Sequence, residues 1–365
     1  MNKIPLSLYI HIPWCETQCP YCDFSITTEP VKNNDDKLAK AVINDINQSE
    51  NFIANRNFKS VYFGGGTPSL TSSKSIKLIL DALRKRLSDS KTEITFEMNP
   101  KDVTPTKVNE LLMAGVNRIS LGIQSYNDNE LKNLGRNHNQ FDSIQSGKNL
   151  EGVNSSIDLM YGIEGQTPDS LALSLKKFFK TNFNHLSLYQ LTIEPNTIFY
   201  KKELRLPKEN LIEDMENVAK EMLEKNGFYQ YEVSSWSRIG YESKHNLNYW
   251  QFGDFLGVGP GSHSKISNNE QIVRFRKVKP INSYIKHQKK TDLKIISGNE
   301  LDIDLAMNLL RIKDGVNSKD INMNLPSSFL DKYQEGISKG LLTKEKIGTT
   351  KKGFKFLDET IQLFF

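Results

Sequence analysis

Short β-rich runs and longer stretches of helical spacing alternate along this chain of 365 residues. Within residues 33–51, for example, Leu38, Val42 and Ile46 recur at the spacing of one helix face. The predicted strands are residues 6–12, 59–63, 93–98, 118–124, 156–161 and 185–193, with further helices predicted at 76–87, 106–113 and 169–179. Strands that alternate with helices indicate parallel β-α units. The pattern therefore predicts an α/β fold, a partial (β/α)6 TIM-like barrel that is open on one side and has its chemistry at the C-terminal strand ends.

The connection between the fourth and fifth strands departs from this pattern. Residues 140–152 contain few apolar side chains and include Gly147. We therefore expect a short or irregular element in this stretch.

The pattern changes again beyond the sixth strand. An amphipathic helix is predicted to end at Gly227, and residues 228–233 are predicted to form a strand. From residue 299 onward, two short helices, a hairpin-like segment and a final helix predict a small helical, winged-helix-like appendage. We therefore expect three parts: a barrel with a metal-binding loop in 1–200, an extension in 201–295 and the appendage in 296–365.

All three cysteines of the chain, Cys15, Cys19 and Cys22, fall within eight residues as C-x3-C-x2-C. Three thiolates on one loop, stiffened by Pro13 and Pro20, suit a 4Fe-4S cluster that leaves one iron open. A zinc site is the competing interpretation. It would need a fourth ligand such as a histidine, and structural zinc loops usually come as two paired half-sites, which are absent here.

Polar and glycine residues mark the ends of several predicted strands. Gly64, Gly65 and Gly66 follow the second strand and precede Thr67, so the backbone there can approach a ligand closely, although a glycine triplet alone is more often a tight turn. Glu97, Gln124, Asp158 and Tyr189 stand at other strand ends, where a barrel directs side chains toward its central cavity. Each alone could simply cap a strand. Together they predict a binding site.

The cysteine spacing after a first strand resembles that of the radical S-adenosylmethionine (SAM) superfamily. The resemblance implies that Cys15, Cys19 and Cys22 ligate the cluster and that the open iron is chelated by SAM. It narrows to the oxygen-independent coproporphyrinogen III oxidase family, from Tyr9 to about Lys265. The SAM contacts implied by that family are Tyr9, Gly65, Gly66, Thr67, Glu97, Gln124, Arg136 and Asp158. By residue type, Gln124 and Asp158 suit ribose hydroxyls, and Arg136 suits a carboxylate.

Two departures from the oxidases make the chain similar instead to their HemW subgroup, the haem chaperones. Phe24 stands where the oxidases carry a further cysteine, and we expect the chain to lack their N-terminal extension. The hexapeptide from His245 to Trp250 matches the HNxxYW motif of the subgroup. The resemblance implies that the protein binds haem and passes it to acceptors, such as respiratory proteins at a membrane surface. The rival function is that of an enzyme, decarboxylation of coproporphyrinogen III.

His245 is the haem ligand that this resemblance favours. A neutral imidazole can bind haem iron, and Tyr249 and Trp250 could cover part of the porphyrin face. Without the resemblance, a histidine that bonds a loop beside two core aromatics is the simpler interpretation. The competing histidines are His11, His138, His185, His263 and His287. Among them His263 is the strongest because its surroundings are rich in glycine.

Composition and charge limit the partners and the cellular location that we expect for this protein. The net charge of +5 is mild for this length, so we expect no nucleic-acid partner, whereas anionic small ligands remain compatible. The basic segment from Arg274 to Lys279 could meet haem propionates, but a solvated strand face is the simpler interpretation. The first residues of this sequence lack the apolar region and small-residue cleavage site of a signal peptide, and no run approaches the ~18 apolar residues of a membrane span. We therefore expect a cytoplasmic protein that can make peripheral contact with a membrane. We expect it to be a monomer or a dimer.

Overall fold

Twelve strands join into one sheet in the computed structural model, which describes residues 4–29, 34–53, 56–87, 92–268, 271–321 and 323–365. The strands are β1 (Leu6–Ile12), β2 (Phe58–Gly65), β3 (Glu93–Met98), β4 (Arg118–Gln124), β5 (Ser155–Tyr161), β6 (His185–Gln190), β7 (Tyr229–Glu232), β8 (Ser235–Ser237), β9 (Asp254–Val258), β10 (His263–Asn268), β11 (Gln271–Lys277) and β12 (Lys290–Ile296). Residues 1–3 and the predicted helix start at residue 33 lie outside the described residues.

The first six strands are parallel neighbours in chain order, as the sequence predicts. The sheet does not close, because its outer strands within the described chain are β12 and β7. This confirms the predicted partial barrel. The strand ends differ only slightly from the prediction, since β2 is longer at both ends and β6 ends at Gln190.

Strands beyond the sixth extend the sheet at both edges. β9 pairs in parallel with β1, and β10, β11 and β12 follow it as antiparallel strands. On the other side β8 pairs antiparallel with β6, and β7 covers β8. The sequence pattern predicted β7 but assigned no strands to residues 254–268. The open side of the barrel is therefore flanked by added strands.

Helices cover the outer face of the parallel strands and form most of the C-terminal region. They are α1 (Asp35–Gln48), α2 (Glu50–Ile53), α3 (Ser73–Leu83), α4 (Pro105–Ala114), α5 (Asp128–Asn133), α6 (Gln140–Asn149), α7 (Pro168–Phe178), α8 (Glu209–Lys225), α9 (Lys244–Trp250), α10 (Ile281–Lys286), α11 (Asn299–Leu309), α12 (Ser327–Ser338), α13 (Lys351–Lys355) and α14 (Leu357–Ile361). Ile10, Phe63 and Phe96 join the core. Because side chains alternate along a strand, Tyr9 and Glu97 lie on the opposite, inner face.

The expectation of an irregular element at 140–152 is wrong. α6 is a regular helix of ten residues, and its start is fixed by a capping box between Asn139 and Asp142. Its packing face consists of small residues, so its burial leaves no apolar periodicity in the sequence. A methyl group on Gly147 would lie 3.6 Å from Cγ2 of Thr181, which shows how closely the next loop approaches.

The C-terminal region has a hydrophobic cluster of its own. Leu305 and Leu309 of α11 pack with Phe329 of α12 and with Phe364 near the chain end. Between α12 and α13, an isolated bridge joins Leu342 to Thr349, so a hairpin-like turn follows the helix as the sequence predicts. The division of the chain into three parts at residues 200 and 295 stays a prediction. No helix in the described part of the chain is long and apolar enough to cross a bilayer.

Candidate functional site

A cavity of about 370 Å³ opens at the C-terminal ends of the parallel strands. The cysteine loop forms one wall, and the strand ends form its floor. Ten of the predicted site residues line it: Cys15, Cys19, Cys22, Gly65, Gly66, Thr67, Glu97, Gln124, Arg136 and Asp158. Tyr9 and His245 are absent from this lining. The fold therefore brings together residues that are up to 143 positions apart, from Cys15 to Asp158.

The cysteine loop is closed at its base by backbone hydrogen bonds. The N–H of Cys15 donates to the carbonyl of Thr27 over 3.0 Å, and the N–H of Thr27 donates to the carbonyl of Pro13 over 2.7 Å. Within the loop, the N–H of Cys22 donates to the carbonyl of Cys19. All three cysteines are free thiols of intermediate exposure, which face the cavity from one short segment.

The surroundings of the thiols fit a cluster held by three thiolates. Burial raises the pKa of the Cys15 thiol, and it raises that of Cys22 to about 11, so metal binding would release protons there. The Nη1 atom of Arg136 lies 3.6 Å from Sγ of Cys19, and a guanidinium favours a neighbouring thiolate. Within the described residues, no group of three His, Cys, Asp or Glu side chains forms the compact ligand set of a single metal ion.

The glycine turn after β2 brings backbone to the floor of the cavity. Gly65 has φ +113°, and its N–H donates to Oε2 of Glu97 over 3.2 Å. A methyl group on Gly65 would lie 2.5 Å from the His11 ring, and one on Gly66 would lie 2.5 Å from the carbonyl oxygen of Trp14. Only glycine fits both positions, because the turn packs directly against the start of the cysteine loop.

Glu97 and Asp158 form an acidic pair on the floor. The Tyr62 hydroxyl donates to Oε1 of Glu97 over 2.7 Å, and the Ser120 hydroxyl lies 3.2 Å from Oδ2 of Asp158. Burial raises the pKa of Glu97 to about 7, and the Asp158 charge adds to the rise. Burial also raises the pKa of Asp158. A cationic ligand would favour ionisation of both carboxyl groups, so the floor suits the ammonium and sulfonium groups of SAM.

Gln124 and Arg136 form the side of the cavity next to the cysteine loop. Gln124 has φ 66°, an unusual value for a residue with a side chain, and it ends β4 beside a register shift. Nη2 of Arg136 donates to the carbonyl of Gly122 over 2.9 Å. The Nε atom of Arg136 is buried without a hydrogen-bond partner, so this guanidinium has a free donor. A carboxylate ligand would satisfy it.

Tyr9 lies in the barrel beneath the cavity floor. Its hydroxyl is 3.1 Å from Nδ1 of His11, and its ring stacks on that of Tyr62. The Nε2 atom of His11 bonds the carbonyl of Ser25 over 2.7 Å, so both ring nitrogens of His11 are engaged. Sequence reasoning missed Tyr62, although polar residues alternate along β2 at Ser60 and Tyr62. That alternation marks an inner barrel face.

His245 is buried in the barrel rather than exposed at the cavity. Its side chain on α9 is 3% exposed, and Nδ1 lies 2.8 Å from the Ser60 hydroxyl. Burial lowers the pKa of the imidazole to about 3, with the Arg118 charge adding to the shift. Tyr249 packs against the His245 ring and against Phe255, so its faces are covered by protein.

The other histidines divide clearly by exposure. His11, His138 and His185 are buried, and each bonds a carbonyl or a hydroxyl through Nε2. His263 and His287 are exposed. His263 stands directly opposite Arg276 in the β10–β11 pair. Partial desolvation lowers the pKa of His263, and the charges of Arg276, Lys279 and Arg274 add to the shift, so the imidazole is neutral at pH 7.

The basic segment from Arg274 to Lys279 is only partly a solvated face. Arg276 pairs with Asp292 at the surface, and Arg274 pairs with Asp304 at a half-buried site. Lys277, by contrast, is buried and pairs with Asp45 of α1. The sequence segment alone hides this difference, because strand alternation sends Lys277 inward.

The fold and the cavity are those of a radical SAM barrel. The family model of the radical SAM superfamily matches residues 9–178. Among solved structures, coproporphyrinogen III oxidase (HemN) of Escherichia coli superposes with a TM-score of 0.81 over 99% of this chain and 90% of that one. Its sequence is 21% identical, so the likeness defines the fold.

Curated relatives extend the likeness along the whole chain. The protein named "Heme chaperone HemW" of Buchnera aphidicola (from Acyrthosiphon pisum) is 38% identical, over 99% of this chain and 98% of that protein. The Escherichia coli K12 protein of the same name is 33% identical over the same shares. A mitochondrial radical S-adenosyl methionine domain-containing protein 1 of Danio rerio is 34% identical over 72% of this chain and 61% of its own length. The chain belongs to the HemW family of the radical SAM superfamily.

Proposed function

We propose that this protein is a haem chaperone that binds haem, carries a SAM-coordinated 4Fe-4S cluster and transfers the haem to acceptor proteins. The observation that carries the proposal is similarity over the full length to relatives named as haem chaperones. A single cavity that joins three thiols to an acidic floor supports the cluster and SAM. Coproporphyrinogen oxidation is the competing function, and it has in its favour only a similar fold.

Different side chains of the cavity would bind different parts of the cofactors. Cys15, Cys19 and Cys22 would hold the cluster, which with SAM would supply one-electron chemistry. Glu97 would accept hydrogen bonds from the methionyl ammonium group of SAM, at the site where Gly65 already fixes its carboxyl group. The unpartnered Nε of Arg136 would take the carboxylate. Gln124, Asp158 and Thr67 would contact the remaining polar edges of SAM.

Haem would bind beside this cavity, on a surface that we call the Phe24–His263 face: Phe24, His263 and Lys279. Phe24 is 57% exposed at the cavity mouth and offers an apolar ring to a porphyrin. The segments meet closely, since a methyl group on Gly261 would lie 2.8 Å from Cβ of Ser25 and 3.4 Å from Cγ of Lys279. A neutral imidazole beside cations suits both iron and propionates.

His245 is the axial ligand that the sequence motif favours, and it remains a candidate. Its Nε2 atom is buried without a hydrogen-bond partner, which leaves a nitrogen lone pair for iron. Iron could reach it only if α9 left the barrel, because Tyr62 and Tyr249 cover the ring. His263 needs no such movement. We therefore favour His263 as the residue that first meets haem.

The acceptors would be haem proteins of the respiratory type, reached at a membrane surface. The mild net charge of +5 is compatible with peripheral contact with anionic lipid, which attracts basic surfaces. Such contact would be electrostatic and would weaken as salt is added.

A haem titration followed by absorbance tests the proposal. The wild-type protein should bind haem with a Soret shift, and His263→Ala should weaken binding while the matched exposed variant His287→Ala leaves it unchanged. If only His245→Ala loses haem binding while its cluster and fold stay intact, His245 on α9 is the haem ligand instead. A separate assay with reduced cluster, SAM and coproporphyrinogen III should give no protoporphyrinogen. Turnover at a catalytic rate would establish the oxidase instead.

A further inference from the structure

His245 forms the support beneath one side of the cavity floor. Its imidazole ring lies against the phenol ring of Tyr62, with ring centroids 4.9 Å apart and planes at 29°. Tyr62 in turn reaches the floor, where its hydroxyl donates to Oε1 of Glu97 over 2.7 Å. The three side chains come from α9, β2 and β3 and form one continuous stack from barrel interior to cavity.

The His245 ring is itself held rigidly. Its Nδ1 lies 2.8 Å from the Ser60 hydroxyl, and that hydroxyl donates to Ser7 over 2.8 Å. Since Ser60 has one hydroxyl proton, Nδ1–H of the imidazole is the donor to Ser60. The backbone N–H of His245 donates to Oε1 of Glu93 over 3.0 Å, which ties the start of α9 to β3.

Glu97 has two fixed hydrogen bonds, and only one of them depends on this stack. Oε2 accepts from the backbone of Gly65, whereas Oε1 accepts from Tyr62. If the His245 ring is removed, the Tyr62 phenol keeps its contact with the Tyr9 ring but loses its closer ring contact, so it can tip into the vacated space. Oε1 then loses its partner and the carboxyl group is free to rotate.

We propose that His245 is a positioning residue of the SAM pocket, which holds Tyr62 in place and thereby orients the Glu97 carboxyl group toward the bound cofactor. The inference rests on the proposed contact between Glu97 and SAM. It gives the histidine of the HNxxYW motif a role that does not require haem, and it accounts for an imidazole that is neutral and enclosed.

The test is SAM affinity of the reconstituted protein, measured anaerobically by calorimetry without haem. Glu97→Gln should weaken binding about tenfold or more, as expected when a hydrogen bond to a charged group is lost. His245→Ala and Tyr62→Phe should each weaken it about tenfold. His245→Phe restores a flat ring under Tyr62 and should retain near wild-type affinity. His185→Ala is the matched control, because His185 is equally buried but bonds Tyr231 instead.

The pH profile separates positioning from general damage to the fold. The titratable groups that face Glu97 are Tyr62, Tyr9 and Asp158, with Arg136 on the same cavity wall. SAM affinity should rise with pH as Glu97 ionises. Because the Tyr62 bond favours the ionised carboxylate, His245→Ala and Tyr62→Phe should both move the midpoint to higher pH. A purely structural defect would lower affinity without moving the midpoint.

Three outcomes would overturn the inference. His245→Ala could bind SAM as the wild type does, or His185→Ala could lose affinity and shift its midpoint equally. Unchanged affinity in Glu97→Gln would reject the proposed SAM contact itself, and with it any role for His245 through that contact. Thermal unfolding of each variant shows which ones are folded. If His245→Ala does not fold, His245→Phe and Tyr62→Phe remain the decisive variants.

Discussion

The backbone N–H of Gly65 donates a hydrogen bond of 3.2 Å to Oε2 of Glu97. The bond joins the glycine turn after β2 to the acidic floor on β3. It requires the left-handed backbone of Gly65, at φ +113°. The glycine turn and the carboxyl group are therefore coupled. A substitution that distorts the turn should also displace the Glu97 carboxyl group on the cavity floor.

Gly65→Ala should test this unit. The new methyl group would meet the His11 ring at 2.5 Å, and alanine disfavours this φ. We expect a loss of stability of about 1–3 kcal/mol, the usual cost of strained backbone, together with weaker SAM binding. Denaturant unfolding and SAM calorimetry provide the two measurements. Gly152→Ala is the control for φ alone, because that glycine has φ 79° and open space around it. Equal effects in both variants would argue against a special role of Gly65.

Asp158→Asn should change both the strength and the pH dependence of SAM binding. The Asp158 charge contributes to the raised pKa of Glu97, so its removal should lower that pKa from about 7. The midpoint of SAM affinity should then fall to lower pH, while affinity at pH 8 drops about tenfold because a polar contact is lost. The measurement is SAM affinity across about pH 5.5–8.5, the range in which a carboxyl group with this pKa ionises. Asp331→Asn, an exposed site on α12, should change neither value, and an unmoved midpoint in Asp158→Asn would contradict the coupling.

The three cysteines should each be required for the cluster. Anaerobic reconstitution of the wild type should give about four irons and four sulfides per chain, and Cys15→Ala, Cys19→Ala or Cys22→Ala should hold far less. Phe24→Ala is a matched control on the same loop and should retain the cluster. Metal and sulfide analysis decides the result. Stoichiometric zinc without sulfide in the wild type would reject an iron–sulfur site.

Asp254→Ala should strongly destabilise the fold. Asp254 is fully buried and pairs with Arg56 over 2.7 Å and with the buried Lys265 over 3.4 Å. Its removal leaves two cations without their partner, which typically costs about 3–5 kcal/mol. Denaturant unfolding measures the loss in the free energy of unfolding. Glu335→Ala, in an exposed pair with Lys339, should cost less than about 1 kcal/mol. Similar losses in both variants would contradict the role of burial.

Local sequence patterns were sufficient for the parallel strands, for the three cysteines and for the polar strand ends that line the cavity. β1, β3 and β4 lie at their predicted bounds because nearly every residue of each run is buried and the run ends at a polar residue or a turn. Cys15, Cys19 and Cys22 stood out because no other cysteine exists in the chain. The polar strand ends at Glu97 and Asp158 indicated a shared cavity, because parallel strands end at one edge of a barrel.

Only the tertiary structure decided where the remaining groups lie. His245 is buried under Tyr62 because α9 packs into the barrel, a contact between positions 183 apart that no local pattern contains. In the sequence Lys277 belongs to a basic run, but in the structure its side chain is buried, because Asp45 of the distant helix α1 compensates its charge. α6 is regular although its sequence is polar, because its small residues allow close packing. Local periodicity reports which face of an element is apolar, whereas the partner that covers that face is chosen by contacts across the whole chain.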